Sequence, residues 1–500
     1  MKHHLLRLGI YLSAAGLAAC ASQKQASDPA AKPSKSLAAP LGERAPRNAE
    51  DPITAPAAPA KGTVAITGAT LLLGTGDRIE DGTLVFTEGR ITAVGPRETV
   101  KVPKAARVID AQGRWVTPGL IDTHSHMGVY AVPHVKATAD GNEMTDPTTP
   151  YVFSEHAFWP QDPAIRHAVA GGVTSIQVLP GSGNIIGGRA TTLKLRPQLE
   201  ARAMRFPGAP FGLKMACGEN PKRVYGNRKA QPMSRMGSVA RLRAIFIKAR
   251  QYRFDQEAFE QEHKKWQEKY DAYKAGEAGA KAPGKEPRRM DRNLGFETLA
   301  DVMDGKIKVH IHCYRADEML LMLSLGKELG FEISSFHHAV EAYKIADVLA
   351  ANNVGASMWA DWWGFKLEAY DGVEENAAML AAAGGRAIIH SDSNIGIQRL
   401  NQEAAKALHS GRRAGLALDE DEAIKWITLN PAWALGVDKQ TGSLEVGKMA
   451  DIVIWDQNPL SMYSTAQQVF IDGQRVVDRS GPPHTWSDFE VGTRMQEVAP

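Results

Sequence analysis

Two histidines stand one residue apart, His124 and His126, in RWVTPGLIDTHSHMG, the stretch from Arg114 to Gly128. Alternate side chains of a strand share a face, so both imidazoles point the same way. Two neutral imidazoles one pleat apart can grip one metal ion. Taken alone, the pair fits a polar strand end equally well, so the rest of the chain must decide. Similar donors recur far downstream. KVHIHC sets His310 and His312 on one face, with Val309, Ile311 and Cys313 on the other. RAIIHSDS sets His390 and Asp392 on one face, and EISSFHHA ends on His337 and His338, one on each face. A single buried histidine is ordinary. A set of imidazoles gathered around nothing would leave polar groups unpaired, and a metal resolves that. FGLKMACGENPK adds two anion candidates, Lys214 and Glu219. Alternation turns Lys214 inward, and a lysine carboxylated on its amine is an anion able to bridge two metals. Glu219, at the rim, could bridge directly through its carboxylate. Parity favours Lys214; both stay open.

Such residues need a scaffold that brings strand ends together. Eight apolar runs alternate with helical segments: GLIDTHSH, GVTSIQVLPG, TTLKLRP, FGLKMACG, KVHIHC, EISSFHHA, VGASMWAD and RAIIHSDS. This pattern predicts an α/β protein with a (β/α)8 TIM-like barrel over 119–440, a fold of ~250 residues that keeps its active site at the C-terminal strand ends. The surplus is 220–293, which has no strand, many charges and a long helical pattern. It reads as a helical insertion between the fourth and fifth strands, its charges on a solvated face; a lid or an oligomer contact is the sharper alternative. Short β-patterned runs at 62–118 return at 441–480, so strands from both ends can form one small sheet domain. A tail, 481–500, follows. Lys194 on the third strand points inward by parity, as a core ion pair or a substrate contact. The Gly-rich LPGSGNIIGGR lets backbone approach the pocket.

Net charge is +3 with both signs mixed, which leaves no nucleic-acid footprint. Residues 1–20 read as a signal peptide: Lys2 and Arg7 flank a short apolar stretch that ends in small residues. LAAC resembles a lipobox, which makes Cys20 the lipidated residue; Ala21 and Ser22 follow it, with no Asp beside it. Residues 21–61, rich in Ala, Pro, Ser and Lys, cannot bury a core and read as a disordered tether. The expected location is the bacterial cell envelope, lipid-anchored in the outer membrane and facing the periplasm or the surface. Cys217 and Cys313 make no disulfide framework; an oxidising compartment would allow one bridge, but buried thiols are the expected state.

TPGLIDTHSH and TLNPAWALGVDKQTGSLEVGKMADIVIWD carry a further signal. Over Thr63 to Asp478 the chain resembles the metal-dependent amidohydrolase superfamily, in particular its imidazolonepropionase-like branch. The resemblance implies the barrel plus a small β-sandwich built from both chain ends. By motif match, His124 and His126 are first-strand metal ligands, His312 in HCYRADEM the fifth-strand ligand, and His338 in HHAVEAYK the sixth. Asp392 in HSDS is ligand and proton acceptor. GLKMA is similar to the fourth-strand segment of members with a carboxylated lysine, which supports Lys214; GEN keeps Glu219 in contention. One departure is informative: mononuclear deaminases and imidazolonepropionase carry Glu three residues after the fifth-strand histidine, where this chain has Arg315. That speaks against proton shuttling by such a Glu, and the fourth-strand anion candidates, Lys214 and Glu219, favour a binuclear site instead. The implied activity is hydrolysis of an amide-type C–N bond in a dipeptide, N-acyl amino acid or cyclic amide by a metal-bound hydroxide, with two Zn2+ as cofactor. Asp392 would relay the proton and His390 would orient it. Arg315 and Tyr314 would bind a substrate carboxylate, unless Arg315 is held in a salt bridge with Asp317 or Glu318. The alternatives are a catalytically silent scaffold lipoprotein on this fold and a mononuclear deaminase. The partners implied are a small-molecule or short peptide substrate, the membrane through the lipid anchor, and an oligomer as an option.

Overall fold

A computed structural model describes residues 52–481. The signal segment with Cys20, most of the tether and nearly all of the tail lie outside the described residues.

One sheet joins strands from both ends of the described chain. Its strands are β1 (Thr63–Leu72), β2 (Arg78–Thr87), β3 (Arg90–Pro96), β4 (Arg107–Asp110) and β5 (Trp115–Pro118), then β14 (Ile452–Trp455), β15 (Ala466–Ile471) and β16 (Gln474–Asp478). The order is β16-β15-β14-β5-β1-β2-β3, with β4 paired to β1. The join is made by β14 on β5, antiparallel, with Ile452 opposite Pro118 and Trp455 opposite Trp115. Ile66, Leu71, Leu84, Val116, Ile452 and Phe470 pack in one apolar cluster of this sheet.

The second sheet is a nearly closed barrel. Its strands run in chain order: β6 (Leu120–Ser125), β7 (Val173–Val178), β8 (Ile186–Lys194), β9 (Gly212–Ala216), β10 (Lys308–Cys313), β11 (Ile333–His338), β12 (Gly355–Met358) and β13 (Arg386–Ile389). Asp392 N–H donates to the His124 carbonyl at 3.1 Å, and Asp122 accepts from Ser391 N and Oγ, so the two ends of the sheet meet. Strand parity holds on β9 and β10. Leu213, Met215, Val309, Ile311 and Cys313 enter the main apolar core, and Lys214, His310 and His312 are buried towards the barrel interior.

Two expectations need correction. The third barrel strand is Ile186–Lys194, begins inside the Gly-rich stretch, and runs antiparallel to both neighbours. A parallel return needs a crossover of a dozen residues or more; only Leu179–Ile185 joins β7 to β8, so the chain can make only a hairpin. The cysteines are not thiols: Cys217 and Cys313, just past β9 and at the end of β10, form a disulfide. Neighbouring parallel strands place them side by side, with Cα atoms 5.2 Å apart.

Lys194 points away from the strand ends that carry the histidines. Its ammonium pairs with Asp451 at 3.0 Å and with Asp472, which ties the barrel to the mixed sheet. Of its two sequence readings, the ion pair is the one seen. Residues 220–293 contain most of the helix Glu219–Asn227 and all of the 40-residue helix Arg235–Lys274. Ser234 caps the long helix by accepting from Gly237 N. A stripe of Leu242, Phe246, Ala249 and Tyr252 is buried along it, and Phe246 stacks on Phe331 at 4.9 Å.

Candidate metal centre

The donors converge at one end of the barrel. His124 Nε2 lies 3.3 Å from His126 Nε2, 3.4 Å from Lys214 Nζ and 3.6 Å from Asp392 Oδ1. His126 Nε2 lies 3.4 Å from the same Asp392 oxygen, and its Nδ1 faces the Leu179 carbonyl at 2.8 Å. On the other side the His312 and His338 rings meet at 4.5 Å, and the His338 ring is 4.7 Å from His124 and 5.0 Å from His390. Two sets have donor atoms within 4.8 Å of one another: His124, His126 and Asp392; and His124, His338 and His390. His338 and Asp392 both hold positive φ, 69° and 49°. Histidine and aspartate tolerate that region better than most residues, and such backbone clusters at functional sites.

These groups fit a cation. Nδ1 of His312 and of His338 are buried without a hydrogen-bond partner, and ring nitrogens left so in a closed site need one. Burial, with the Lys214 charge, holds the imidazoles neutral, the state that ligates: His126, His310 and His390 fall to about 3, and His124, His312, His337 and His338 drop well below their usual value. Burial also pushes the Asp392 carboxyl up to about 7, against the pull of Lys214, and brings the Lys214 ammonium down to about 8, against Asp392. A bare ammonium among neutral imidazoles is poorly placed; carboxylation would turn it into the anion a dication requires. Asp122, pushed up to about 6 by burial, accepts from the backbone N–H of His124 and Ser391, and so locks the loop that carries Asp392 to the strand that carries His124.

The sequence comparisons agree with this chemistry. The model of the Amidohydrolase family matches residues 292–479. The chain is 34% identical over 412 residues to "Amidohydrolase tasK" of Hapsidospora irregularis, across 79% of this chain and 40% of that protein. It is 24% identical to an imidazolonepropionase of Fusobacterium nucleatum subsp. nucleatum, across 77% of this chain and 87% of that one. Among solved structures, an amidohydrolase from Thermotoga maritima MSB8 superposes with a TM-score of 0.71 at 34% identity, covering 83% of this chain and 100% of that one. The chain belongs to the amidohydrolase family. The family is metal-dependent and hydrolyses carbon–nitrogen bonds. The chain spans less than half the length of the tasK relative.

Within this amidohydrolase, His124, His126, Lys214, His312, His338, His390 and Asp392 come together. Glu219 does not join them in the same way: it opens the helix Glu219–Asn227, is part-exposed, and lies 3.9 Å from Lys366 Nζ. Arg315 is part-exposed and forks onto Asp317, with Nε and Nη2 each 2.9 Å from a carboxylate oxygen, which is the salt-bridge arrangement. Tyr314 is buried, its ring 5.1 Å from His338 and 3.7 Å below Lys366 Nζ.

Sequence reasoning passed over several neighbours. His337 faces His124 Nδ1 at 2.7 Å, so both histidines of the HH pair look inward; the positive φ at His338 breaks strand alternation there. Trp359 stacks on His338 at 4.3 Å, and Trp362, Trp363 and Phe365 continue from it around a cleft that reaches Asp392. A signal existed for these: WADWWGF sets four aromatics within seven positions, directly after a barrel strand.

Proposed function

We propose that this amidohydrolase cleaves an amide-type C–N bond with a divalent-metal site, binuclear and loaded with Zn2+. The carrying observation is the convergence of His124 with His126 and Asp392, beside the His312 and His338 rings that meet at 4.5 Å. In this reading His124, His126 and Asp392 would hold one ion and His312 and His338 a second, with Lys214, once carboxylated, as the anion shared between them. The burial of Lys214 beside His124, against the part-exposed rim position of Glu219, supports that choice of bridge. Divalent cations bound there supply Lewis acidity, lowering the pKa of water to about 7 and polarising the scissile carbonyl. Asp392 takes the proton from the attacking water and delivers it to the leaving nitrogen. His390 Nε2 accepts from the His338 N–H at 3.3 Å, so its proton sits on Nδ1, a free donor for the developing oxyanion.

Dipeptides, N-acyl amino acids and cyclic amides are the substrate classes to assay with Zn2+-loaded full-length protein. The expected result is turnover of at least one class, lost in His312→Ala. A loaded protein that turns over none of them contradicts the reading.

We also propose a lipid-anchored envelope location through Cys20. A disulfide in the barrel suits an oxidising compartment. A fatty-acid label carried by the wild type and absent from Cys20→Ser is the expected outcome; equal labelling contradicts it.

A further inference from the structure

We propose that the segment after β12 is a recognition wall for an uncharged aromatic group on the substrate, beside the scissile bond; this rests on the hydrolase reading. Tyr314, Trp359, Trp362, Trp363 and Phe365, with Asp361 and Asp392, line a cleft of about 430 Å3. Trp359 stacks on the His338 ring at one end and on Trp362, at 5.2 Å and 18°, at the other. Phe365 meets Trp359 edge-on at 5.8 Å. An aromatic surface thus runs unbroken from a candidate ligand to the protein exterior. Its outer members stay exposed, Trp362 at 43%, Trp363 at 57% and Phe365 at 56%. Exposed apolar patches of this kind mark ligand grooves. The charges nearby do not select an anion. Among the described residues, the charged ones lining the cleft are Asp361 and Asp392; Asp361 is neutralised by Lys406 at 2.8 Å, and Lys366 is engaged by Glu368 at 3.5 Å. An aryl group stacked here would leave its amide carbonyl close to Asp392.

The test uses Zn2+-loaded full-length protein and two neutral probes that differ only in phenyl against methyl, benzoylglycinamide and acetylglycinamide. Tryptophan fluorescence reads binding, and release of glycinamide reads hydrolysis. We expect the benzoyl probe to be favoured by about tenfold in binding, and the ratio to fall towards one in Trp363→Ala and Phe365→Ala. Equal affinity for the two probes, or a ratio unchanged in both variants, would overturn the proposal. Selective binding of the benzoyl probe without hydrolysis would keep the aromatic wall and count against the hydrolase reading instead.

Behind the site, four buried side chains form one hydrogen-bonded file. Gln177 Nε2 faces His310 Nε2 at 3.2 Å, His310 Nδ1 faces His337 Nε2 at 3.0 Å, and His337 Nδ1 faces His124 Nδ1 at 2.7 Å. Each neutral imidazole has one proton and one lone pair, so all protons in the file must point the same way. With the amide nitrogen towards His310, they point at His124, whose Nδ1 accepts and whose Nε2 is left protonated and unable to bind metal. With the amide turned, Gln177 Oε1 accepts from His310 Nε2–H, His310 Nδ1 accepts from His337 Nε2–H, and His337 Nδ1 accepts from His124 Nδ1–H. His124 Nε2 then offers a lone pair. The two amide orientations are close in shape, and Gln177 Oε1 has no partner in the first. We infer that Gln177, through His310 and His337, is a positioning residue that fixes the ligating tautomer of His124.

Nitrogen-15 spectra of Zn2+-loaded wild type should show His310 and His337 protonated on Nε2. His310 protonated on Nδ1 in the loaded protein would overturn the inference and leave the metal site standing; a wild type that takes up no Zn2+ would overturn both. In chelator competition, Gln177→Leu should bind Zn2+ about tenfold to a hundredfold more weakly. Gln177→Glu, whose carboxylate still accepts from Nε2–H, should stay near wild type. Undiminished affinity in Gln177→Leu, or equal loss in both variants, would also overturn it.

Discussion

In the proposed mechanism Asp392 carries two demands that pull against each other: it would ionise to ligate and to accept a proton, yet it is buried. Its carboxyl sits at about 7 because burial outweighs the nearby Lys214 charge. Asp392→Asn removes the proton carrier with little change in volume. It should lower kcat/KM by about 10²- to 10⁴-fold with an unchanged circular dichroism spectrum; a loss below about tenfold would contradict the role. Lys214 gives a pH signature. Carboxylation consumes the neutral amine, and burial brings the Lys214 ammonium down to about 8, so the reactive form grows as pH rises through that value and vanishes in acid. Metal-free protein incubated with 13C-bicarbonate should gain a carbamate resonance from neutral pH upward, absent in Lys214→Ala. A resonance absent at every pH would return the bridge to Glu219.

The elements that hold these residues are cross-tied where the ligands emerge. The Cys217–Cys313 bond joins the ends of β9 and β10, the strands of Lys214 and His312, across a sequence separation of 96. Loss of a bond that closes so long a loop should cost about 2–5 kcal/mol. Urea titration of Cys217→Ser, with metal content measured in parallel, should show both fall; wild-type stability would contradict this. Lys194 performs the corresponding service between the two sheets. Lys194→Met leaves Asp451 and Asp472 without their shared cation, and breaking one side of a buried pair costs about 3–5 kcal/mol. The urea midpoint should drop accordingly, and an unchanged midpoint would show that the tie is dispensable. Strand identity and inward parity on β9 and β10 were readable because apolar and polar side chains alternate. The reversal of β8 was not, since it depends on the length of the β7–β8 connection rather than on pattern. The disulfide was not either, because proximity across neighbouring strands leaves no mark in spacing. His337 was assigned to one of two faces by a period-2 rule that the backbone at His338 does not follow.

At the scale of the whole molecule, a barrel collects donors spread from His124 to Asp392 and a mixed sheet from both ends braces it. The donor set was legible because each member lies at or next to a strand end. The aromatic wall was overlooked because it lies in a loop, where periodicity carries no information. Metal binding at the barrel mouth ties several strands together, so it should stabilise the folded state. With free Zn2+ at a hundredfold of its Kd the gain is about 2.7 kcal/mol per site, and chelation should lower the thermal midpoint reversibly; a midpoint indifferent to chelator would contradict this. The most direct test is anomalous X-ray diffraction at the zinc edge from crystals of the Zn2+-loaded protein. Two peaks are expected within coordination distance of His124, His126, Lys214, His312, His338 and Asp392. Full zinc loading with no peak among those side chains would contradict the metal-centred account.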